Sequence, residues 1–110
     1  MLRIHHARHF WQRALGLLGR RALAADEALL IRPCTSIHTF GMRFAIDVVF
    51  LDREGRVRAV HPALPPWRAV RCRGAHAVLE LAAGGAARAG IERGQKRPAL
   101  LGDTHRSDDR

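Results

Sequence analysis

The strongest constraint on the fold is a strand-like segment, residues 44–52, that is apolar on both faces and yet carries a carboxylate. Its β-branched and aromatic residues favour a β-strand, and alternate residues of a strand point to opposite faces. One face is apolar throughout, whereas Asp47 interrupts the other between Ala45 and Val49. A strand of this kind lies inside a covered sheet. A carboxylate there needs hydrogen-bond donors, a cation or a proton, so we interpret Asp47 as a structural centre or part of a functional site.

The flanking sequence predicts a mostly β domain. Residues 52–55, Asp-Arg-Glu-Gly, are typical of a tight hairpin turn, and the returning strand, residues 56–61, ends at the prolines of a loop that presents Trp67. Further strands are predicted at residues 28–32, 77–81 and 98–101, with a short helix at 86–89 that ends at Gly90 and Ile91. An N-terminal helix is predicted over residues 8–20, where Trp11, Leu15 and Leu18 follow helical spacing.

Length and composition indicate one soluble domain, residues 1–102, followed by a disordered tail, residues 103–110. No stretch approaches the roughly 18 apolar residues that cross a bilayer. Arginines and histidines interrupt the N-terminal residues, which argues against a secretory signal and predicts a cytoplasmic location. The net charge is +9, but the basic residues are dispersed. This distribution is more typical of a solvated surface than of a nucleic-acid site, so a nucleic-acid partner is not favoured.

Two cysteines and several histidines raise the question of a metal site. Cys34 and His38 share the spacing of Cys72 and His76, and two Cys with two His can bind zinc. The spacing lacks the tight Cys-x2-Cys element of specific zinc motifs, so we predict neither a metal nor a cofactor. The sequence is compatible with a disulfide bond between the two cysteines and with two free thiols. An alternative is nucleophilic catalysis by Cys34 or Cys72, with His38 or His76 as base and Asp47 as the orienting group.

A binding site is the interpretation that the residues favour. Residues 36–43 form a polar, glycine-containing connection into the rigid strand, and loops held by a rigid scaffold commonly carry binding residues. The candidate ligand-binding residues are His38, Thr39, Met42, Arg43, Asp47, Trp67 and Glu80. An arginine in this set suits an anionic group. The expected partner is a small polar or anionic ligand, or a protein.

The order of motifs resembles the domain of unknown function 192 family, a family of small bacterial and archaeal proteins. The resemblance rests on SIHTFGMRFAIDVVFLDREGRV, with ALGLLGR before it and AVLELAAGGAARAGIERGQ after it, and spans residues 14–95. It implies a mainly β fold, a compact barrel or jelly-roll type of sandwich, and no established activity. Many relatives carry an export signal or lipid anchor, and some lie near secretion or pilus genes. Where relatives have a Trp-Met-Lys-Asn-like turn, this chain keeps Met42 and the cationic Arg43 but lacks the Trp and Asn.

Together these observations predict a mainly β (α+β) domain. We expect a compact β-barrel or jelly-roll-like sandwich with an N-terminal helix and one short helix in the C-terminal half. The expected function is a non-catalytic binding or accessory module, with a relation to secretion or pilus systems implied by the resemblance. Two alternatives stay open: a small hydrolytic or metal-assisted enzyme using Cys34, His38 and Asp47, and a basic RNA-binding module.

Overall fold

The computed structural model describes residues 2–7 and 23–102. In these residues the strands are β1 (Arg3–Ala7), β2 (Glu27–Ile31), β3 (Ser36–His38), β4 (Ile46–Leu51), β5 (Val57–Leu64), β6 (Ala69–Arg71) and β7 (Ala77–Ala82). A short helix, α1 (Gly85–Arg88), and a 3-10 helix (Pro98–Leu101) follow. The expectation of a mainly β fold is therefore confirmed. The predicted N-terminal helix, residues 8–20, and the predicted tail, residues 103–110, lie outside the described residues.

Five strands form the main sheet, in the order β1-β2-β7-β4-β5. The β1 and β2 strands are parallel, and the other neighbours are antiparallel. The β3 and β6 strands form a separate antiparallel pair, which we call the ribbon. The expected closed barrel is wrong, because β1 and β5 stand at opposite edges and the sheet stays open. Of the expected jelly-roll-like sandwich, the structure contains a five-stranded sheet and the two-stranded ribbon that covers one of its faces.

Both faces of the main sheet bury apolar residues, and each face has its own cover. The ribbon face buries Leu23, Ile37, Met42, Ile46, Val48, Phe50 and Val78. The opposite face, which we call the helix face, buries a larger cluster that includes Val49, Leu51 and Leu79 of the sheet and Ala86, Ile91, Leu100 and Leu101 of the C-terminal part. All six residues of β4 are buried. The prediction of a strand covered on both faces is thus confirmed.

The predicted hairpin connects β4 to β5. One carboxylate oxygen of Asp52 accepts hydrogen bonds from the backbone N–H groups of Glu54 and Arg56, both at 2.9 Å. Because these N–H groups donate to it, Arg56 first, the pKa of Asp52 lies below its ordinary value. Gly55 has a φ of +86°, and a Cβ at this position would collide with the backbone of Pro98. The turn therefore requires glycine for both its conformation and the close approach of the C-terminal segment.

The return strand is longer than predicted. The sequence predicts an end at residue 61, before Pro62, but β5 continues to Leu64. An edge strand tolerates proline, because a missing N–H on its open side interrupts no hydrogen bond of the sheet. β5 is such an edge strand, and its register against β4 shifts between Ile46 and Val48. The proline therefore marks the edge position of the strand instead of its end.

The C-terminal part contains one confirmed element and one correction. The short helix ends as predicted, since Ile91 N–H donates to the carbonyl of Ala86 at 2.9 Å and Gly90 N–H donates to the carbonyl of Ala87 at 3.0 Å. This is a Schellman motif with Gly90 at a φ of +69°. The strand predicted at residues 98–101 is instead the 3-10 helix. Proline at a first helical position and two leucines that pack on the helix face favour this outcome.

Candidate functional site

Thr39 follows β3 directly and is completely buried. Its hydroxyl donates to the carbonyl of Pro65 at 2.7 Å and accepts the N–H of Arg68 at 2.9 Å. Its backbone N–H donates to the carbonyl of Arg68 at 2.8 Å, and its carbonyl accepts the N–H of Trp67 at 3.1 Å. These four hydrogen bonds hold residues 65–68 against the end of the ribbon. Thr39, a predicted site residue, therefore positions the loop that carries another one, Trp67.

Trp67 is presented to solvent by an unusual backbone. Its φ is +66°, in the left-handed region that side-chain-bearing residues rarely occupy. Such a conformation costs about 1–2 kcal/mol relative to the right-handed one. In the same segment, Ala63 has a φ of +49°. The fold offsets this strain with the hydrogen bonds to Thr39, and the result is an indole that is 65% exposed.

Three rings form a continuous arrangement that we call the aromatic stack: His38, Phe40 and Trp67. The centroids of the His38 and Phe40 rings are 4.8 Å apart, and those of Phe40 and Trp67 are 5.9 Å apart. The interplanar angles are 29° and 21°, so the rings are stacked. Phe40 N–H also donates to Nδ1 of His38 at 3.3 Å. Phe40 is 47% exposed. The stack is thus an apolar, flat surface that the protein leaves in water.

Asp47 is 1% exposed, and the burial inferred from the sequence is confirmed. Its Oδ1 accepts the backbone N–H groups of Ala63 at 2.8 Å and Gly84 at 3.1 Å, and its Oδ2 accepts that of Ala86 at 2.8 Å. The donors come from the end of β5 and from the beginning of α1. Hydrogen bonds of backbone amides to a carboxylate are stronger than those between neutral groups. Asp47 therefore joins two distant segments to β4, an interior strand of the main sheet.

The main sheet separates Asp47 from most of the other predicted site residues. Asp47 alternates with Ile46 and Val48, which lie on the ribbon face, so its side chain lies on the helix face. The ribbon packs on the other face, together with Cys34. The alternative catalytic set of Cys34, His38 and Asp47 is therefore not assembled in this fold. Glu80 also lies on the face opposite to the Asp47 side chain, because it pairs with Val48 in the register.

Met42, Glu80 and Arg43 have different environments. Met42 is 5% exposed within the apolar cluster of the ribbon face, and Glu80 is completely buried in β7. Arg43 is exposed and lies in the same connection as Phe40, between β3 and β4. Of the predicted site residues, the structure thus brings His38, Thr39 and Trp67 together, places Met42 and Glu80 inside, and leaves Arg43 at the surface.

Phe40 belongs to the aromatic stack but was absent from the residues that the sequence singled out. One signal could have identified it. Phe40 lies between Thr39 and Gly41 in a connection, where no strand or helix periodicity provides a buried face for a phenyl ring. A large aromatic side chain without an element to bury it is a candidate for the surface, and exposed apolar side chains that cluster often mark interaction sites.

A polar pocket of about 340 Å³ lies at the hairpin end of the molecule, between Asp52, Arg53, Glu54 and His76. The pKa of His76 is lowered, first because burial disfavours its charged form and then because Arg53 and Arg32 repel a further positive charge. His76 is therefore neutral near pH 7. Its backbone N–H donates to the carbonyl of Leu51 at 2.7 Å, which ties it to the end of β4.

The residues discussed as zinc ligands do not form a metal centre in the described part of the chain. Cys34 Sγ donates to the carbonyl of Ser36 at 3.0 Å, and Cys72 Sγ lies 3.8 Å from the carbonyl of Arg73. The two cysteines are not joined by a disulfide bond. Among residues 2–7 and 23–102, no three His, Cys, Asp or Glu side chains are grouped to hold a metal ion.

In the same described residues, no helix is long and apolar enough to span a membrane.

Two solved structures are similar to this fold. One is the crystal structure of a proposed transcription regulator from Sinorhizobium meliloti 1021, with a TM-score of 0.75 and 27% identity over 86% of this chain and 79% of that chain. The other is a protein of unknown function from Novosphingobium aromaticivorans DSM 12444, with the same TM-score and identity over 86% of this chain and 73% of that one. No curated protein matches the chain.

The family comparison agrees with the order of motifs in the sequence. The model of domain of unknown function 192, described as "Uncharacterized ACR", matches residues 1–97. This range contains the hairpin, the whole aromatic stack, and Asp47 with its three N–H donors, which we call the Asp47 centre. The chain therefore belongs to the domain of unknown function 192 family.

Proposed function

We propose that this chain is a non-catalytic binding module whose contact surface is the aromatic stack. The observation that supports this most directly is the exposure of Phe40 and Trp67, stacked at 5.9 Å on a backbone that places Trp67 in a left-handed conformation. Backbone strain of this kind persists where the surrounding structure enforces it, and it is frequent at ligand-binding positions. Glycine would adopt this conformation without strain, yet residue 67 is a tryptophan.

The charges near the stack favour a ligand that combines a flat ring with an anionic group. Arg68 follows the indole, and its Nη1 donates to the carbonyls of Pro66 at 3.4 Å and Trp67 at 3.5 Å. Its guanidinium therefore lies beside the backbone of the loop that carries Trp67. Arg43 is exposed in the connection that begins with Thr39. Aromatic rings and guanidinium groups together bind the planar bases and phosphates of nucleotides.

The buried site residues support this surface without touching the ligand. Thr39 holds the loop of Trp67, and Asp47 holds Ala63, four residues before it. Met42 and Glu80 are buried on the ribbon face. The proposed roles therefore divide into a contact layer, comprising His38, Phe40, Arg43, Trp67 and Arg68, and a supporting layer of Thr39, Met42, Asp47 and Glu80.

The test uses tryptophan fluorescence. The chain has two tryptophans, so a Trp11→Phe variant leaves Trp67 as the single reporter. We expect adenosine monophosphate to quench it saturably, adenosine to bind more weakly, and inorganic phosphate to have little effect. Phe40→Ala in the same background should weaken binding of the nucleotide at least tenfold, whereas Arg93→Gln, an exposed charge outside the stack, should leave it unchanged. Absence of saturable quenching by any of these probes would contradict the proposal.

Two substitutions at residue 67 separate binding from folding. Trp67→Gly and Trp67→Ala both remove the indole, and calorimetry should show that both lose the nucleotide. Glycine adopts positive φ freely, so Trp67→Gly should be more stable than Trp67→Ala by about 1 kcal/mol. A Trp67→Gly variant that is folded, stable and still binds with the original affinity would exclude the stack as the contact surface.

A further inference from the structure

A second surface of the molecule, which shares no residue with the aromatic stack, has the features of a binding site for an amphiphile. An open groove of about 800 Å³ lies beside β1, between this edge strand, α1 and the 3-10 helix. Leu2 and Ile4 form one wall, half-buried against the core of the helix face, and Leu100 lies in the other. The volume is in the range of sites for small organic ligands, which are mostly apolar with a few placed polar groups. We call it the edge groove.

The charges that line the edge groove are mainly positive. Arg88 and Arg97 both line it, and within the described residues neither guanidinium forms an ion pair. Arg97 Nη1 instead donates to the carbonyl of Gly90 at 3.2 Å and to Oε1 of Gln95 at 3.0 Å, so its position is held. Asp26 also lines the groove, but Arg3 binds both of its carboxylate oxygens, at 3.0 and 3.1 Å. Its charge is therefore compensated.

An apolar groove lined by two guanidinium groups that form no ion pair with the described residues is complementary to a molecule with an apolar body and an anionic head. We propose that the edge groove binds a single-chain anionic amphiphile of the fatty-acid type. The chain of the amphiphile lies along Leu2, Ile4 and Leu100, and its carboxylate pairs with Arg88 and Arg97. Apolar contacts supply most of the affinity, and the guanidinium groups set the orientation of the head group. This site is independent of the aromatic stack, since it lies on the helix face and shares no residue with it.

The experiment is calorimetric titration of the full chain with monomeric dodecanoate, dodecanol and anionic phospholipid vesicles. Dodecanoate should bind with a stoichiometry of one and a negative heat-capacity change, which marks apolar burial. Arg88→Gln should weaken dodecanoate at least fivefold and leave dodecanol unchanged. Ala99→Trp, at an exposed residue of the groove, should fill it and weaken both ligands. Arg93→Gln, an exposed arginine outside the groove, is the matched control and should bind dodecanoate with the original affinity.

Several results would overturn the proposal. One is non-saturating uptake of dodecanoate that Ala99→Trp does not change. Another is equal loss of binding in Arg88→Gln and Arg93→Gln, which would reduce the effect to overall charge. Binding to vesicles without binding of monomeric dodecanoate would identify a membrane surface in place of a free amphiphile. If Trp67→Gly lost dodecanoate binding and Ala99→Trp kept it, the binding site would be the aromatic stack and not the edge groove.

Discussion

The Asp47 centre buries a polar group, whereas the aromatic stack exposes apolar rings to water. At the Asp47 centre a charged group is inside, and three backbone N–H groups, at 2.8 to 3.1 Å, satisfy it. At the aromatic stack two large apolar rings are outside, and no core covers them in the described structure. A buried polar group that is fully hydrogen-bonded serves the fold, whereas exposed apolar clusters and strained backbones often mark interaction sites. The difference favours a stabilising role for the first region and supports the proposed recognition role of the second.

The largest expected effect comes from Asp47→Asn. The amide keeps the size of the carboxylate but offers one acceptor oxygen and one N–H2 group, so at least one of the three N–H donors loses its acceptor. An unsatisfied buried donor costs about 1–3 kcal/mol, and the lost charge weakens the other bonds. We expect a loss of about 2 kcal/mol or more in the free energy of unfolding, measured by urea denaturation.

The matched control for Asp47 is Asp26→Asn, which alters an exposed carboxylate in a surface ion pair with Arg3. Surface pairs contribute little to stability, so its transition midpoint should move much less. Equal midpoints for Asp47→Asn and the unmodified chain would show that the buried carboxylate is not the structural centre of the sheet.

A smaller effect is expected from Thr39→Val, which removes the hydroxyl and keeps the shape. The hydroxyl bonds to Pro65 and Arg68 are lost, and the free energy of unfolding should fall by about 1–2 kcal/mol. Because the same bonds hold the loop of Trp67, the affinity for the nucleotide probe should fall as well. Thr35→Val, at an exposed threonine, is the control. A Thr39→Val variant with unchanged stability and affinity would separate the supporting layer from the aromatic stack.

The smallest effect concerns pH and involves neither region directly. The pKa of His76 is lowered from 6.5 in the folded state by burial and by Arg53 and Arg32. In the pH range below 6.5 and above the folded pKa, the unfolded chain binds a proton that the folded chain does not, so stability falls as the pH falls. His76→Gln should reduce the slope of stability against pH in this range, measured by denaturation between pH 7.5 and 5. If the stability curves of His76→Gln and the unmodified chain were parallel between pH 7.5 and 5, His76 would not contribute to the pH dependence.

Those parts of the fold that depend on local chemistry could be predicted from the sequence. The hairpin at Gly55 and the helix end at Gly90 follow from single residues whose backbone conformation few others adopt. The burial of Asp47 follows from alternation in a segment that is apolar on both faces. The strands β3 and β6 were not predicted, because three residues each are too few to show a period of two. β1 was missed because its sequence, RIHHA, is mostly polar.

The sequence by itself determined where the hairpin lies, that β4 is covered on both faces, and that Asp47 needs donors within the protein. Only the tertiary structure decided that the sheet stays open and that Asp47 faces the helix side, with its donors 16 to 39 residues away. It also decided that Phe40 and Trp67, far apart along the chain, stack at the surface. The physical reason is that turns and alternation depend on neighbouring residues, whereas burial, donor choice and ring contacts depend on segments that meet only when the chain has folded.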